Sequence, residues 1–284
     1  MDLSNRPELA YLGELAGVIH SGLGNTSWLV IGATARDLLM QYGHGIQVRR
    51  ATDDIDLAIA VEDWSHFHRV RQQLLDSDAF EEVPGVVHQL RSEVGIRFDL
   101  IPFGGVEREN GTIAWPPDGT PELTVGGFTE ALENAQTVFL PGNQRIRVIS
   151  LPMLVHMKII ASAERHLRRP GVDLSDVVFI LANYLECGHR QRLFEDENDL
   201  LDTPDFDYQL AGAILAGRDL GRIWVAADST RQIEALKTIL LPQIADDRPG
   251  PLLSQLPAPQ LEQSAQLLES FLHGLAGTLK NDQR

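Results

Sequence analysis

Two carboxylates stand two residues apart in Thr52-Asp53-Asp54-Ile55-Asp56-Leu57, which runs on as Ala58-Ile59-Ala60-Val61. The β-branched and apolar residues predict a strand, and positions two apart on a strand project to one face. Asp54 and Asp56 therefore point together, while Ile55 and Leu57 point into a core. Adjacent carboxylates repel each other, and a divalent cation between them removes that penalty. Mg²⁺ takes a few carboxylates together with water and substrate phosphate oxygens, so the pair suits phosphoryl transfer. The same pair also fits an exposed strand end that binds nothing.

Asp99 narrows the choice. It interrupts the apolar stretch Phe98-Asp99-Leu100-Ile101, where a carboxylate is costly unless it is paired or bound to metal. A salt bridge to Arg97, two residues away, accounts for Asp99 alone but not for all three acids. Upstream, the apolar run Trp28-Leu29-Val30-Ile31 ends at Gly32-Ala33-Thr34-Ala35-Arg36. A glycine between strand and helix lets backbone approach a ligand, and the helix start and Thr34 offer donors to a phosphate. Farther on, Lys158 lies in Leu154-Val155-His156-Met157-Lys158-Ile159-Ile160. A lysine in so apolar a run either extends its ammonium to solvent or meets an anion. Asp173 and Asp176 are three apart on the next expected helix and share a face; Asp173 also fits the helix cap.

The elements that must hold these residues follow from periodicity. A first helix is expected over 7–21, a strand over 28–31, a helix from Thr34 to Tyr42, a strand over 54–61 and a helix from about Asp63 to Leu75. Strands near 86–92 and 95–103 form a hairpin about Val94-Gly95. Residues 104–147 are rich in turn signals, with short strands expected near 121–125 and 144–149. Beyond Leu151 the pattern is helical, over 151–167, 173–186, 205–219, 228–239 and 258–279, with a proline-containing connector at 242–256. The expected domains are 1–147, an α/β catalytic domain, and 148–284, a helical domain completing the active site.

Composition sets limits. The 284 residues carry a net charge of −16, so a nucleic-acid partner must be held by a local basic patch or by metal ions. The best patches are Arg165-His166-Leu167-Arg168-Arg169 and Arg49-Arg50. A single cysteine, Cys187, excludes an internal disulfide and a cysteine-based zinc site. The histidines show no metal-ligand spacing. P-loop, HExxH and GxSxG signatures are missing from the sequence. The opening residues show no secretory signal and no run is long enough for a membrane span, so a cytoplasmic location with no membrane partner is expected.

The succession of apolar strand, Gly-Ala-Thr-x-Arg, helix, Thr-x-Asp-Ile-Asp strand and Phe-Asp-Leu-Ile-Pro-Phe-Gly-Gly resembles the polymerase-β-type nucleotidyltransferase superfamily. Within it, the chain is most similar to the AbiEii/AbiGii-type branch, which includes type IV toxin–antitoxin toxins. The resemblance spans about residues 28–184. It implies an α+β fold: a nucleotidyltransferase-type mixed sheet with flanking helices, followed by a helical C-terminal part. It implies transfer of a nucleoside monophosphate from an NTP to an acceptor hydroxyl on RNA, a protein or a small molecule, with a cognate antitoxin as a further partner. By this resemblance Asp54, Asp56 and Asp99 hold Mg²⁺ or Mn²⁺, with Asp99 taking the acceptor proton. Gly32, Ala33, Thr34 and Arg36 bind nucleotide, Lys158 meets the triphosphate, and Asp176 belongs to the fourth motif. Ala33 departs from the usual glycine or serine, and the interval from Gly32 to Asp54 is longer than in compact members. A catalytically silent binding module on the same fold, and an enzyme modifying antibiotics or other small molecules, are the competing readings.

Overall fold

A computed structural model describes residues 1–48, 54–120, 122–202, 206–245 and 248–281, without the side chains of 279–281. Arg49-Arg50 and Asp53 lie outside the described residues. The chain divides into two compact units, Met1–Ser150 and Leu151–Arg284.

The first unit opens with a 3₁₀ turn, Pro7–Leu9, which leads into α1 (Ala10–Leu23). Next come β1 (Trp28–Ile31) and α2 (Gly32–Arg36), which continues without a break as a π-helix, Asp37–Tyr42. β2 (Asp54–Val61) and α3 (Trp64–Leu75) follow. Asp63 caps α3, its carboxylate accepting from the His66 amide at 2.6 Å, which satisfies one orphan donor of the first turn. Then come β3 (Phe80–Glu82), β4 (Gln89–Ser92), β5 (Arg97–Gly104), β6 (Thr112–Ala114) and β7 (Glu122–Thr124). The unit closes with α4 (Phe128–Glu133), β8 (Gln136–Leu140) and β9 (Gln144–Val148).

Seven strands form one mixed sheet in the order β3-β4-β5-β2-β1-β9-β8, and β6 and β7 pair separately. β2 runs parallel to β5 and β1 parallel to β9; the other pairs are antiparallel. α1 and α3 pack on each other, α1 also meets β9, and α3 also meets β2. They bury Leu15, Ile19 and Leu23 from one helix and Phe67, Val70 and Leu74 from the other. Removing each such side chain from water contributes roughly 1.5–3 kcal/mol.

The second unit is helical: α5 (Leu151–Arg165), α6 (Val172–Ala182), α7 (Arg192–Glu195), α8 (Tyr208–Ala226), α9 (Thr230–Ile244) and α10 (Leu261–Asn281). α8 and α10 approach at backbone distance, since a Cβ at Gly217 would lie 2.1 Å from the Phe271 carbonyl and one at Gly274 would lie 2.0 Å from that of Ile214. The architecture is thus α+β, with a mixed sheet and flanking helices in one unit and helices in the other. Among the described residues no helix is long and apolar enough to cross a membrane.

Several element boundaries differ from the periodicity. Helix 173–186 stops at Ala182, because Asn183 leaves helical geometry (φ −113°, ψ 9°) and its side chain donates to the Phe179 carbonyl. α8 runs past its expected end at 219, because Gly217 and Gly221 face α10 and do not terminate the helix. Pro242 lies inside α9 and not in a connector. There the Gln243 side chain donates to the Ile239 carbonyl and accepts from the Leu252 amide, carrying the chain out of the helix. Asp173 does not cap α6; the cap position is Gly171, in the left-handed region.

Candidate metal and nucleotide site

The sheet register builds the site. Along the parallel β2–β5 pair, Asp56 is opposite Asp99, and Asp54 is opposite Arg97. Residues opposite each other share a face, and neighbouring strands lie about 4.8 Å apart. Asp54, Asp56 and Asp99 therefore occupy one side of the sheet, all half-buried, while Ile55, Leu57, Phe98 and Leu100 are buried between them in the sequence.

Asp99 is half-buried on β5. Its Oδ1 is shielded from solvent and has no hydrogen-bond partner. Burial pushes its pKa up; His88, the Gln89 side chain and Arg97 oppose that shift, and the charge of Asp54 adds to it. His88 in turn is pushed down by burial and drawn up by Asp99. Gln89 stands opposite Asp99 across the β4–β5 hairpin, and His88 lies just before it, its ring 5.1 Å from that of Trp115. Periodicity alone does not mark His88 and Gln89 as neighbours of Asp99. The signal was present in the hairpin centred on Val94-Gly95, which fixes which residue faces which.

Gly32 sits where β1 ends, next to Ile31, which pairs with Asp56. Its φ is +66°, and a Cβ there would lie 1.9 Å from the Asp56 Oδ2. Glycine is thus demanded twice, by backbone conformation and by the carboxylate lying against it. Ala33 is half-buried. Thr34 is buried, and its hydroxyl donates to the Asp54 carbonyl at 3.1 Å, joining the helix start to β2. Arg36 is also buried, its Nε donating to Asp37 Oδ1 at 2.8 Å and a terminal nitrogen lying 2.6 Å from the same oxygen.

In the second unit, Lys158 is buried, so its ammonium does not extend to solvent. It donates to Asp176 Oδ2 at 2.5 Å and to Asp173 Oδ1 at 3.3 Å. Asp173, 2% exposed, also accepts from Arg165 on both oxygens at 2.9 Å. Two cations thus meet two carboxylates where α5 packs on α6. Arg165 is committed to this cluster, whereas Leu167, Arg168 and Arg169 of the same basic stretch are exposed. A second buried carboxylate, Glu197, is held by Arg192, Arg218 and Arg222 at 3.2, 2.5 and 2.5 Å. The sequence offered no signal for it, because the three arginines come from separate turns.

Among the described residues, no three His, Cys, Asp or Glu side chains are gathered around one point as metal ligands. Asp54, Asp56 and Asp99 share a face of the sheet without being gathered around one centre. Cys187 is a free, buried thiol whose pKa burial raises to about 12. No protein-family model matches the chain, and no curated protein matches it.

Proposed function

We propose that the protein is a metal-dependent nucleotidyltransferase that moves a nucleoside monophosphate from an NTP to an acceptor hydroxyl. One observation carries this reading: Asp56 stands opposite Asp99 on the sheet face that also carries Asp54, with the Gly32 turn pressed against the Asp56 carboxylate. The orphaned, buried Oδ1 of Asp99 fits a cation ligand, because such an oxygen is costly without a partner. Asp54, Asp56 and Asp99 would hold Mg²⁺ or Mn²⁺. When bound, the metal would offset charge on the reacting phosphate.

The acceptor oxygen forms a bond to the α-phosphorus as the bond from that phosphorus to the bridging α–β oxygen breaks, and pyrophosphate leaves with the bond electrons. The acceptor proton goes to Asp99, the member of the three nearest the hairpin strand β4. Gly32 lets the turn lie directly against the Asp56 carboxylate. Thr34 and Arg36 keep the turn rigid, Thr34 through the Asp54 carbonyl and Arg36 through Asp37.

The test is incubation with each α-labelled NTP, Mg²⁺ and a cell lysate, following which molecule acquires label. Asp56→Asn should lower transfer by about 10²-fold or more, the scale of losing a preorganised electrostatic group. Retained activity in that variant at limiting Mg²⁺ would sink the metal assignment. The toxin-like reading adds that expression slows bacterial growth and that the Asp56→Asn form does not; equal growth at matched expression removes it.

Two observations favour a second reading, a module that binds nucleotide or a partner without turnover. The three carboxylates are not gathered, and Lys158 is engaged by Asp173 and Asp176. Titration with a non-hydrolysable NTP separates the readings, since binding with no label transfer to any lysate component supports the module.

A further inference from the structure

We infer that Arg91 and Arg97, side by side on the β4–β5 hairpin of the first unit, form an anion site for a polyphosphate, the β- and γ-phosphates of the NTP. The NTP assignment rests on the transferase reading; the ligand class rests on the hairpin itself.

The turn fixes the pair. The Gly95 amide donates to the Ser92 carbonyl at 2.8 Å, with Gly95 at φ +87°, and the Ser92 amide donates to the Ile96 carbonyl at 2.8 Å. Farther along, the Leu100 amide donates to the His88 carbonyl at 2.7 Å. In this register Arg91 is opposite Arg97, and Gln89 is opposite Asp99. Backbone bonds join Ser92 with Ile96 and His88 with Leu100, so Arg91 and Arg97 fall between them as a pair that exchanges none. Such pairs have Cα atoms about 4.5 Å apart, and their side chains are closer than those of bonded pairs.

Residues two apart on a strand share a face. Arg91 and Arg97 therefore stand on the carboxylate face, two residues along from Gln89 and Asp99, and Arg97 is opposite Asp54. Both arginines are exposed. Like charges directly opposite on a sheet are destabilising, and an anion between them removes that opposition. Two guanidiniums offer planar forks of donors that match phosphate oxygens. Glu81 is opposite Arg91 on its other side, as Asp54 is for Arg97. The row thus reads acid, base, base, acid, and its centre is cationic. Mg²⁺ carried by the phosphates suits the Asp54 end of the row. The site also meets a need. An NTP brings several negative charges to a face of three carboxylates, yet Arg36 is held by Asp37, and Lys158 by Asp173 and Asp176. The charge of Arg97 reaches that face: burial pushes the Asp99 pKa up, and Arg97 is among the groups that oppose the shift.

The experiment uses the full chain, Mg²⁺ and inorganic tripolyphosphate, an anion with neither base nor sugar, read by amide chemical-shift mapping and calorimetric titration. Tripolyphosphate should shift the amides of Arg91, Ser92 and Arg97. Arg91→Gln and Arg97→Gln, in variants whose melting curves match the wild type, should each weaken it about tenfold or more, the scale of losing a hydrogen bond to a charged group. Arg145→Gln, the same charge change on an exposed arginine of β9, should leave the affinity as it is. In the transfer assay the two hairpin variants should raise KM for the NTP by a similar factor with kcat little changed, the signature of lost uniform binding. The inference is overturned if tripolyphosphate leaves these amides unmoved or if Arg145→Gln weakens it as much. It is also overturned if a short single-stranded oligoribonucleotide shifts the same amides and displaces tripolyphosphate. Tripolyphosphate bound at the pair with no label transferred from any NTP would retain the anion site and remove the transferase reading. Label transferred at unchanged KM by both hairpin variants would do the reverse.

Discussion

At Gly32 a missing side chain matters more than most that are present. A methyl group there would meet the Asp56 carboxylate at 1.9 Å and would have to tolerate φ +66°. Gly32→Ala must therefore displace Asp56, rotate the turn, or both. Backbone strain of this kind costs on the order of 1–3 kcal/mol, and a displaced Asp56 spoils the shared carboxylate face. We expect Gly32→Ala to melt lower than wild type and to lose NTP affinity as well. A variant with wild-type melting and wild-type affinity would show that the turn tolerates a side chain. The period-two alternation from Asp54 to Val61 is what made the two carboxylates legible in the sequence, because one strand face is apolar and the other is not. The environment of Asp99 was less legible. Its neighbours His88 and Gln89 come from across a hairpin, and their contact depends on where the turn at Gly95 sets the register.

Element packing explains why Lys158 resists interpretation from sequence. An apolar run around a lysine specifies burial but not which counter-charge arrives, and here α6 brings Asp173 and Asp176. Removing one partner of a buried ion pair typically costs about 3–5 kcal/mol. Arg165 still holds Asp173 after such a change, so Lys158→Ala should lose an amount near the lower end, about 3 kcal/mol, read as a lower urea midpoint. Restored stability in Lys158→Met with Asp176→Leu would confirm that the ammonium serves α5 and α6. If Lys158→Ala denatures as wild type does, the pairing contributes little and the lysine is held for another purpose. Helix ends were legible where a cap is local, as at Asp63, and illegible where a distant element decides. Gly217 and Gly221 look like helix breakers, yet they let α10 lie against α8. Pro242 looks like a connector residue, yet it sits in the last turns of α9.

For the whole molecule, acidity and burial set the response to solution conditions. His156 is fully buried against Trp224, both ring nitrogens lack partners, and burial lowers its pKa from 6.5 to about 3. The folded chain therefore keeps this imidazole neutral while the unfolded chain takes up a proton below pH 6.5. This contribution to stability is fully present above pH 6.5 and is lost as pH falls toward 3, at about 1.4 kcal/mol per unit. Between pH 7.5 and pH 5.0, wild type should lose about 2 kcal/mol more than His156→Phe, measured by urea denaturation of the helical signal. Parallel pH profiles would assign the acid sensitivity elsewhere. The net charge of −16 makes a separate prediction for any RNA partner. With exposed Arg168 and Arg169 from the best basic stretch, and Arg49 and Arg50 from the second, two to four phosphate contacts give a log–log salt slope of about −1.4 to −2.8 on single strands. Reversing Arg168 and Arg169 to glutamate should remove most of that slope, and a steep dependence surviving the reversal would place RNA elsewhere.

The parallel pairing of β2 with β5 also has a consequence in time. Asp54 and Asp56 are synthesised well before Asp99, with α3, β3 and β4 between them, and parallel strands pair only after such a crossover is complete. Loop-closure entropy must be spent before that pairing is rewarded, which makes contacts of this kind slow to form. A nascent chain released before β5 has Asp54 and Asp56 but not the face they share with Asp99. The grouping of the three acids is thus itself a marker of completed folding: translation intermediates and chains truncated before Arg97 lack it, whatever local helix they retain.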